Sequence, residues 1–257
     1  MSFGAIAEDY DRLRSGPPEA AVEWLLPPGC QVAVDLGAGT GLLTRALARK
    51  VPRVVAVEPD ERMAAVLRAR AAETGRSGID VLQGTGEAIP LPDASADGVF
   101  VSSAWHWMDP DRAPQEVARV LRDGGRLGVI WTSRDRDTDW VREADAFRRA
   151  RRQAAADGED AEQPLHRQRE VTLPGDLFGS VETASFAFTR RMTVDDVIGM
   201  MATYSGAITA SPKQRAEALA AARAVLGQRF PGAEVIDVPM RSQCFRASRC
   251  PRGAARP

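Results

Sequence analysis

The sequence is poor in the residues that build metal centres and disulfide frameworks. It contains only two histidines and three cysteines, and Cys30, Cys244 and Cys250 form no CxxC pair and leave an odd count. A zinc site is therefore not expected, and three free thiols in a reducing compartment are the simplest interpretation. We accordingly predict no bound metal and a cytoplasmic location.

Long apolar segments are missing as well. No run approaches the roughly 20 residues that cross a membrane, and the N-terminal MSFGAIAEDYDR lacks the basic start and apolar stretch of a signal peptide. Lysine is scarce, with only Lys50 and Lys213, and the many arginines alternate with acids so that the net charge is −1. Without a positive field or a basic stripe with interleaved aromatics, the chain is expected to bind neither nucleic acid nor a membrane surface.

The chain does contain an alternation of short β-rich and helical runs between residues 31 and 133. Strands are predicted at residues 31–37, 54–59, 79–84, 97–103 and 126–133. Helices are predicted at 41–51, after a cap at Asp60, and at 111–122, where Gly124 and Gly125 end the last one. Such alternation is typical of a parallel sheet with helices on both faces.

The pattern changes after residue 135. Helices are predicted at 137–157, 193–205 and 212–228, the last two opened by capping signatures at Thr193 and Ser211. Residues 181–190 read as a strand and 234–248 as a strand pair or one bent strand. We predict an N-terminal helical lid at 1–30 and a Rossmann-like core at 31–135. A helical cap with the sixth strand follows at 136–230, then a final strand at 231–248 and a disordered tail at 249–257.

The strongest motif is VDLGAGTGLLTRAL, residues 34–47, which places Gly37, Gly39 and Gly41 between an apolar strand and an amphipathic helix. Closely spaced glycines allow a sharp turn and let a ligand lie against the backbone without a Cβ clash. The spacing is GxGxG, whereas a dinucleotide fingerprint is GxGxxG. Glu58 ends the next strand about 20 residues on, where a carboxylate can accept hydrogen bonds from both hydroxyls of a ribose. The loop and the acid together predict a nucleoside-type ligand.

Three stretches, DLGAGTG, VVAVEPD and QGTGEAIPLPDASADGVFVSSAWHW, resemble the class I S-adenosylmethionine-dependent methyltransferases. Among these enzymes the chain is most similar to the small-molecule branch that includes the ubiquinone-pathway and trans-aconitate methyltransferases. The resemblance is specific over residues 1–135 and weaker through residue 228. It implies S-adenosylmethionine as cofactor and a Rossmann-like α/β fold with helices on both faces. The implied sheet is seven-stranded and mostly parallel with an antiparallel last strand, and a helical cap is added to it.

The resemblance also implies roles for residues on the loops that follow the strands. The loop that holds the methionine and ribose part of the cofactor is matched by Asp35, Gly37, Ala38, Gly39 and Gly41, and the ribose-binding acid by Glu58. The adenine wall is matched by Pro59, Asp60 and Met63, and the segment at the adenine edge by Gly84, Thr85, Gly86 and Glu87. The end of strand four, beside the methionyl group, is matched by Ser102, Ser103 and Ala104.

In EDYDRLR, Tyr10 and Arg14 resemble an N-terminal lid that reaches the carboxylate of the cofactor. A guanidinium group suits a carboxylate because it can donate two parallel hydrogen bonds. The alternative for Arg14 is a solvated helix residue.

The stretch SSAWHWMDP follows the fourth predicted strand and holds one of the two histidines between two tryptophans. Because ligands bind at the carboxyl ends of parallel strands, we expect this stretch near the transferred methyl group. With an ordinary pKa of about 6.5, His106 is either a general base or a residue that shapes the pocket. The aromatic residues expected to line the acceptor pocket, or else to pack against the core, are Trp105, Trp107, Trp131 and Tyr204.

The sequence therefore predicts a methyltransferase that acts on a small-molecule acceptor, such as a natural product or a carboxylic acid. One alternative is a methyltransferase-fold protein that binds the cofactor for other chemistry or as a binding partner. A second is a nicotinamide-dependent oxidoreductase, which the glycine spacing disfavours. The acceptor, the methylated atom and the oligomeric state stay open.

Overall fold

A computed structural model of the chain describes residues 3–145 and 170–252. The N-terminal part forms a short 3₁₀ helix at Phe3–Ile6, then α1 at Ala7–Leu13 and α2 at Glu19–Leu25. Strands and helices then alternate as β1 (Val32–Leu36), α3 (Leu42–Leu47), β2 (Arg53–Val57), α4 (Glu61–Glu73), β3 (Ile79–Leu82), β4 (Ala96–Ser102), a 3₁₀ turn (Trp105–Trp107), α5 (Arg112–Val120) and β5 (Leu121–Arg134). The remaining elements are α6 (Asp139–Ala144), β6 (Glu182–Thr193), α7 (Val194–Ala202), α8 (Ser205–Thr209), α9 (Pro212–Arg229) and β7 (Val235–Ser248).

The seven strands form one sheet in the order β3-β2-β1-β4-β5-β7-β6, mostly parallel with an antiparallel last strand. The predicted fold class is therefore confirmed. The strand order reverses between β1 and β4, which are parallel neighbours that pair Asp35 with Phe100. The loops after these two strands consequently diverge at the reversal, which is where open α/β sheets bind their ligands. The glycine motif follows β1 and the WHW stretch follows β4.

The apolar runs of the sequence explain why these strands are central. Every residue from Val54 to Val57 is buried, and so is every residue from Val99 to Val101. Strands covered by helices on both faces must be apolar on both faces, and each fully buried valine contributes about 1.5–3 kcal/mol relative to an exposed one. Helix α4 begins at its predicted cap, because the side chain of Asp60 accepts a hydrogen bond from the backbone N–H of Arg62.

Both predicted caps of the later helices are confirmed. The hydroxyl of Thr193 accepts the N–H of Asp196 at the start of α7, and Ser211 and Gln214 form a reciprocal capping box at the start of α9. Residues 234–248 form a single long strand, β7, instead of a pair. Of the helix predicted at 137–157, the structure shows α6 at Asp139–Ala144, and residues 146–157 lie outside the described residues.

The prediction that Gly124 and Gly125 end a helix is wrong. Helix α5 ends at Val120, and the next residue, Leu121, already pairs with Ala96 of β4. The two glycines lie inside β5, where the register between β4 and β5 shifts. Gly124 has φ of +74°, so it supplies the left-handed conformation for an irregular start of the strand and not for a helix end.

The chain divides into two compact units. The glycine-loop unit consists of Ser15–Thr132, Arg169–Phe186 and Ser242–Pro257, and the helical unit of Met1–Arg14, Ser133–Gln168 and Ala187–Arg241. Both units are discontinuous along the chain, whereas the segments predicted from the sequence are continuous. Arg249, the first residue of the predicted tail, is buried and donates a hydrogen bond to the carbonyl of Ala118, and residues 253–257 lie outside the described residues.

None of the helices within residues 3–145 and 170–252 is both long enough and apolar enough to cross a membrane.

Candidate active site

The glycine loop turns sharply because all three of its glycines adopt the left-handed conformation. Gly37, Gly39 and Gly41 have φ values of +68°, +57° and +84°. A Cβ on Gly37 would lie 2.7 Å from the Cβ of Ala104, and one on Gly41 would lie 2.7 Å from Cγ of Leu67. At these two positions the packing of the loop excludes a side chain. At Gly39 the nearest atom would be the methyl of Met63 at 3.6 Å, an ordinary van der Waals distance, so the surrounding protein leaves room for a Cβ there.

Glu58, the residue that follows β2, anchors this loop through hydrogen bonds. Its carboxylate is 7% exposed and accepts the N–H of Gly39 at 2.7 Å on one oxygen and the N–H of Asp60 at 2.9 Å on the other. Burial raises the pKa of Glu58, and these two hydrogen bonds oppose that rise. Each carboxylate oxygen has further lone pairs. The carboxylate is thus held in one orientation while it can still accept hydrogen bonds from a pair of hydroxyl groups.

Asp35 lies under the loop and is fully buried. One of its oxygens accepts a hydrogen bond from the Thr44 hydroxyl at 2.6 Å, and the other oxygen, Oδ1, is buried and has no partner within the part of the chain that the structure describes. Burial raises the pKa of this carboxyl to about 7, although the Thr44 bond opposes the rise. A buried acceptor without a partner is costly unless a donor is supplied. An ammonium or hydroxyl group of a ligand would satisfy it.

The residues matched to the adenine site surround the same loop. Met63 is 5% exposed on α4, whereas Pro59 is exposed. Gly84 and Gly86 are crowded, since a Cβ would come within 2.7 Å of Pro90 and 2.6 Å of the Met108 sulfur, respectively. Between them, Thr85 is exposed and pairs with Ala88 in an isolated bridge. These contacts fix the backbone of the segment and leave the Thr85 side chain at the surface.

Glu87 links that segment to the WHW stretch. Its carboxylate accepts the N–H of Asp109 at 2.7 Å, two residues beyond Trp107. The resemblance implies a role for Glu87 at the adenine edge, and the structure adds that Glu87 anchors the loop after β4. The loops after β3 and β4 are therefore held together by a side chain, which the sequence pattern alone did not reveal.

His106 lies in the 3₁₀ turn after β4 and is hydrogen-bonded to a strand-five tryptophan. The indole N–H of Trp131, which is 5% exposed, donates to Nδ1 of His106 at 3.3 Å. An indole can only donate, so the lone pair at Nδ1 is the acceptor, and in the neutral ring the proton is carried by Nε2. The ring of Trp131 also packs edge-to-face on Phe245 with centroids 5.6 Å apart, which fixes the donor.

The other residues of this stretch differ in burial. Trp105 packs against the buried core, and Ser103 holds a left-handed φ of +56° while its N–H bonds to the carbonyl of Ile130. Trp107 is 60% exposed, and its ring lies against that of His106 with the ring centres 4.9 Å apart and the planes inclined at 40°. The structure therefore brings together three of the predicted pocket residues, Trp107, His106 and Trp131, and it places Trp105 in a packing role.

Tyr10, Arg14 and Tyr204 belong to the helical unit, where the structure brings them together. The guanidinium carbon of Arg14 lies 3.7 Å from the ring centre of Tyr204 and 5.0 Å from that of Tyr10, and one nitrogen donates to the carbonyl of Thr203. Stacking between two aromatic rings removes the alternative of a solvated helix residue. Their predicted contact with the carboxylate of a cofactor stays a prediction.

Arg134, the last residue of β5, joins this cluster and was missed by sequence reasoning. Its guanidinium carbon lies 5.7 Å from the Tyr204 ring centre, and the residue is only 5% exposed. The sequence feature that could have indicated Arg134 is an arginine at the carboxyl end of an apolar strand, in GVIWTSR. In a chain with 34 lysines and arginines, that signal does not stand out.

Comparisons with known proteins agree with this geometry. Residues 34–129 match the family described as methyltransferase domain. An uncharacterized methyltransferase of Mycobacterium tuberculosis is 39% identical over 250 residues, which is 96% of each chain. The malonyl-[acyl-carrier protein] O-methyltransferase of Methylococcus capsulatus is 38% identical over 136 residues, 49% of this chain and 48% of that one.

Among solved structures, a protein of Anaeromyxobacter dehalogenans described as a candidate type II methyltransferase is similar over 93% of this chain and 99% of its own. The TM-score is 0.65 at 23% sequence identity, which shows a shared fold. The full-length match to the mycobacterial methyltransferase, the sheet order and the glycine loop point to one conclusion. The chain belongs to the class I S-adenosylmethionine-dependent methyltransferases.

Proposed function

We propose that this protein binds S-adenosylmethionine in the glycine-loop unit and transfers its methyl group to a small-molecule acceptor. The observation that carries the proposal is the Glu58 carboxylate, held by the N–H groups of Gly39 and Asp60 beside three left-handed glycines. This arrangement suits the two hydroxyls of a ribose, and the partnerless oxygen of Asp35 suits the ammonium group of the same cofactor.

The cofactor supplies a methyl group on a sulfonium, which an acceptor displaces in line. The protein's task is then to hold the acceptor and to exclude water. His106 and Trp107 follow β4, the strand that pairs with β1, and Trp131 lies on the neighbouring strand β5. Together these three residues supply aromatic surface. These residues are suited to line an acceptor pocket, because apolar walls with a few fixed polar groups are typical of small-molecule sites.

For His106, the hydrogen bond from Trp131 favours the pocket-lining role over the general base. A base needs an accepting lone pair, and the lone pair at Nδ1 is already used by the indole N–H. We therefore propose that His106 lines the acceptor pocket and does not act as the general base. Replacement His106→Ala is then expected to raise the KM for the acceptor, whereas a turnover loss of ~100-fold or more at saturating acceptor would assign the base role.

The acceptor is proposed to be a small molecule, either a natural product or a carboxylic acid. The Methylococcus relative acts on a malonyl group carried by a protein, which is a carboxylic acid substrate. The match covers only half of either chain, so it supports the chemical class and not the carrier protein.

Calorimetry with S-adenosylhomocysteine, the product of methyl transfer, tests the proposal. We expect saturable binding to the full chain. Gly39→Ala should weaken this binding by at least tenfold, because the protein tolerates a Cβ at this position but the Cβ would project from the backbone against which we place the ligand. The matched control is Gly29→Ala. Gly29 has a similar φ of +69°, and a Cβ there would meet no atom within 4 Å, so the variant carries the same backbone strain away from the loop.

Both variants are expected to lose roughly 1–2 kcal/mol of stability, the usual cost of left-handed backbone in alanine. Only Gly39→Ala should change the affinity for S-adenosylhomocysteine. Absence of binding to the unmodified chain, or equal affinities of the two variants, would contradict the proposal.

A further inference from the structure

Three segments of the helical unit bring two arginines and a tyrosine into one cluster. Arg14 follows α1, Arg134 ends β5, and Tyr204 lies between α7 and α8. Arg14 stacks on the Tyr204 ring at 3.7 Å, and Arg134 lies 5.7 Å from the centre of the same ring. The phenol is thus close to two guanidinium groups that come from distant parts of the sequence.

The cluster is short of acceptors. Four of its buried polar atoms have no hydrogen-bond partner among residues 3–145 and 170–252, namely Nε of Arg14, Nε and Nη1 of Arg134, and the hydroxyl of Tyr204. Within the described parts of the chain, no carboxylate lies at ion-pairing distance from Arg14 or Arg134. Arg136, only two residues further on, does have such a partner in Asp145 at 3.0 Å.

Such an arrangement is costly in the absence of a ligand. A buried guanidinium without a counter-charge loses hydration that nothing in the fold replaces. The same charges act on the phenol. Although burial alone would raise it, the pKa of Tyr204 is lowered by the positive charges of Arg14, Arg134 and Arg136. The local potential is therefore positive, and each of the four groups has a hydrogen that it can donate to an anion.

We propose that Arg14, Arg134 and Tyr204 form a binding site for a carboxylate group of the methyl acceptor, an assignment that rests on the proposed methyl transfer. Guanidinium groups donate parallel N–H bonds that match the two oxygens of a carboxylate, and the phenol adds an O–H donor. A carboxylate held in this way has its charge neutralised. It is therefore the anchor of the acceptor, and a different atom of the acceptor receives the methyl group.

The assignment to the acceptor differs from what the resemblance implies, which is that Arg14 binds the carboxylate of the cofactor. The resemblance matches Arg134 and Tyr204, which carry three of the four buried polar atoms without a partner among the described residues, to no part of the cofactor. Tyr204 is instead one of the aromatic residues that the sequence predicts to line the acceptor pocket. Two sources of a carboxylate therefore have to be separated by experiment.

The first arm probes the site with acetate, which is the bare carboxylate. The chain has only two tyrosines, so ¹³Cζ-labelled tyrosine gives two NMR signals, which Tyr204→Phe assigns. Sodium acetate in excess, at constant ionic strength against chloride, should shift the Tyr204 signal saturably and raise the pKa of the phenol, because the anion offsets the arginines. Arg134→Gln should abolish the saturable shift, and Arg134→Lys should retain part of it.

The second arm compares two cofactor probes by calorimetry on unmodified protein and on Arg134→Gln. S-adenosylhomocysteine carries a carboxylate, and 5′-methylthioadenosine lacks it. We expect Arg134→Gln to leave both affinities unchanged. A loss of S-adenosylhomocysteine affinity alone would give the site to the cofactor and overturn the assignment.

The two proposals fail separately. No binding of S-adenosylhomocysteine to unmodified protein, with a saturable acetate shift, would refute methyl transfer and leave a carboxylate site. The carboxylate site would be refuted if S-adenosylhomocysteine bound normally but acetate shifted the Tyr204 signal no more than chloride does. A saturable acetate shift that Arg134→Gln left unchanged would refute it as well.

Discussion

Glu58 in the glycine-loop unit and Arg134 in the helical unit are both buried charged groups, and they differ in how the fold treats them. Both oxygens of Glu58 accept backbone N–H groups, so the protein itself holds the carboxylate in position. Arg134 is equally buried, yet its Nε and Nη1 have no acceptor among the residues that the structure describes. The Glu58 carboxylate is therefore preorganised before any ligand binds. The Arg134 guanidinium gains its missing hydrogen-bond acceptors only when a ligand supplies them.

The difference shows two ways of retaining a charge inside a protein. A buried carboxylate with backbone donors costs the fold less stability than one without them, because the donors replace part of the lost water. An arginine without acceptors lowers the stability of the unliganded protein, and a ligand that supplies the acceptors restores that stability on binding. The three substitutions below test this contrast, and each is compared with a matched variant in the same unit.

The largest effect is expected for Glu58→Ala. The substitution removes a charged acceptor that we assign to two ribose hydroxyls, and hydrogen bonds to charged groups contribute about 1.5–3 kcal/mol each. The affinity for S-adenosylhomocysteine should therefore fall by about 100-fold or more, as measured by calorimetry. Glu58→Gln, which keeps the shape and one accepting oxygen, should lose less. Equal affinities of Glu58→Ala and the unmodified protein would show that the carboxylate serves the loop alone.

The next effect concerns Asp35, which shares the unit with Glu58 but lacks one partner. Its folded-state pKa is raised from 3.8 to about 7, so the folded protein keeps a proton that the unfolded chain has released. This carboxyl therefore stabilises the fold below about 3.8, and the contribution is lost as the pH rises through about 7. Asp35→Asn should increase stability above that pH by on the order of 2 kcal/mol, and hardly change it in acid.

Denaturant unfolding across the pH range measures this effect, and Asp97→Asn is its control. Although partial burial alone would raise the pKa of Asp97, the N–H groups of Val32 and Gln31 that its carboxylate accepts lower it. Its contribution is present at neutral pH and lost in acid, so Asp97→Asn should destabilise the protein above the pH at which Asp35→Asn begins to stabilise it. The same sign for both variants would refute the buried, partnerless description of Asp35.

The two regions also differ in how well the sequence predicts them. Gly37, Gly39, Gly41 and Glu58 lie on one continuous strand–loop–helix–strand segment, where spacing and residue type are dictated by local backbone geometry. The capping residues Asp60, Thr193 and Ser211 were predictable for the same reason. Local patterns carry enough information when the contacts they specify are local.

Arg134 illustrates why the other region was not predicted. Its neighbours Arg14 and Tyr204 are 120 and 70 positions away along the chain, and no local pattern records that they meet. The wrong helix end at Gly124 has a related cause. There the pairing of Leu121 with Ala96 of β4, a long-range contact, starts a strand before the glycines are reached. Long-range pairing overrides the local signal in both cases.

The smallest expected effect separates the two kinds of buried charge most directly. Because no described residue supplies an acceptor for Nε and Nη1 of Arg134, Arg134→Met should stabilise the unliganded protein by about 1 kcal/mol and raise its Tm by a few degrees. Arg136→Met is the matched control two positions away. It removes the partner of Asp145, a buried carboxylate, and should therefore destabilise the protein. If Arg134→Met lowered the Tm as much as Arg136→Met does, the charge of Arg134 would stabilise the fold itself. That result would contradict the assignment of its guanidinium to ligand binding.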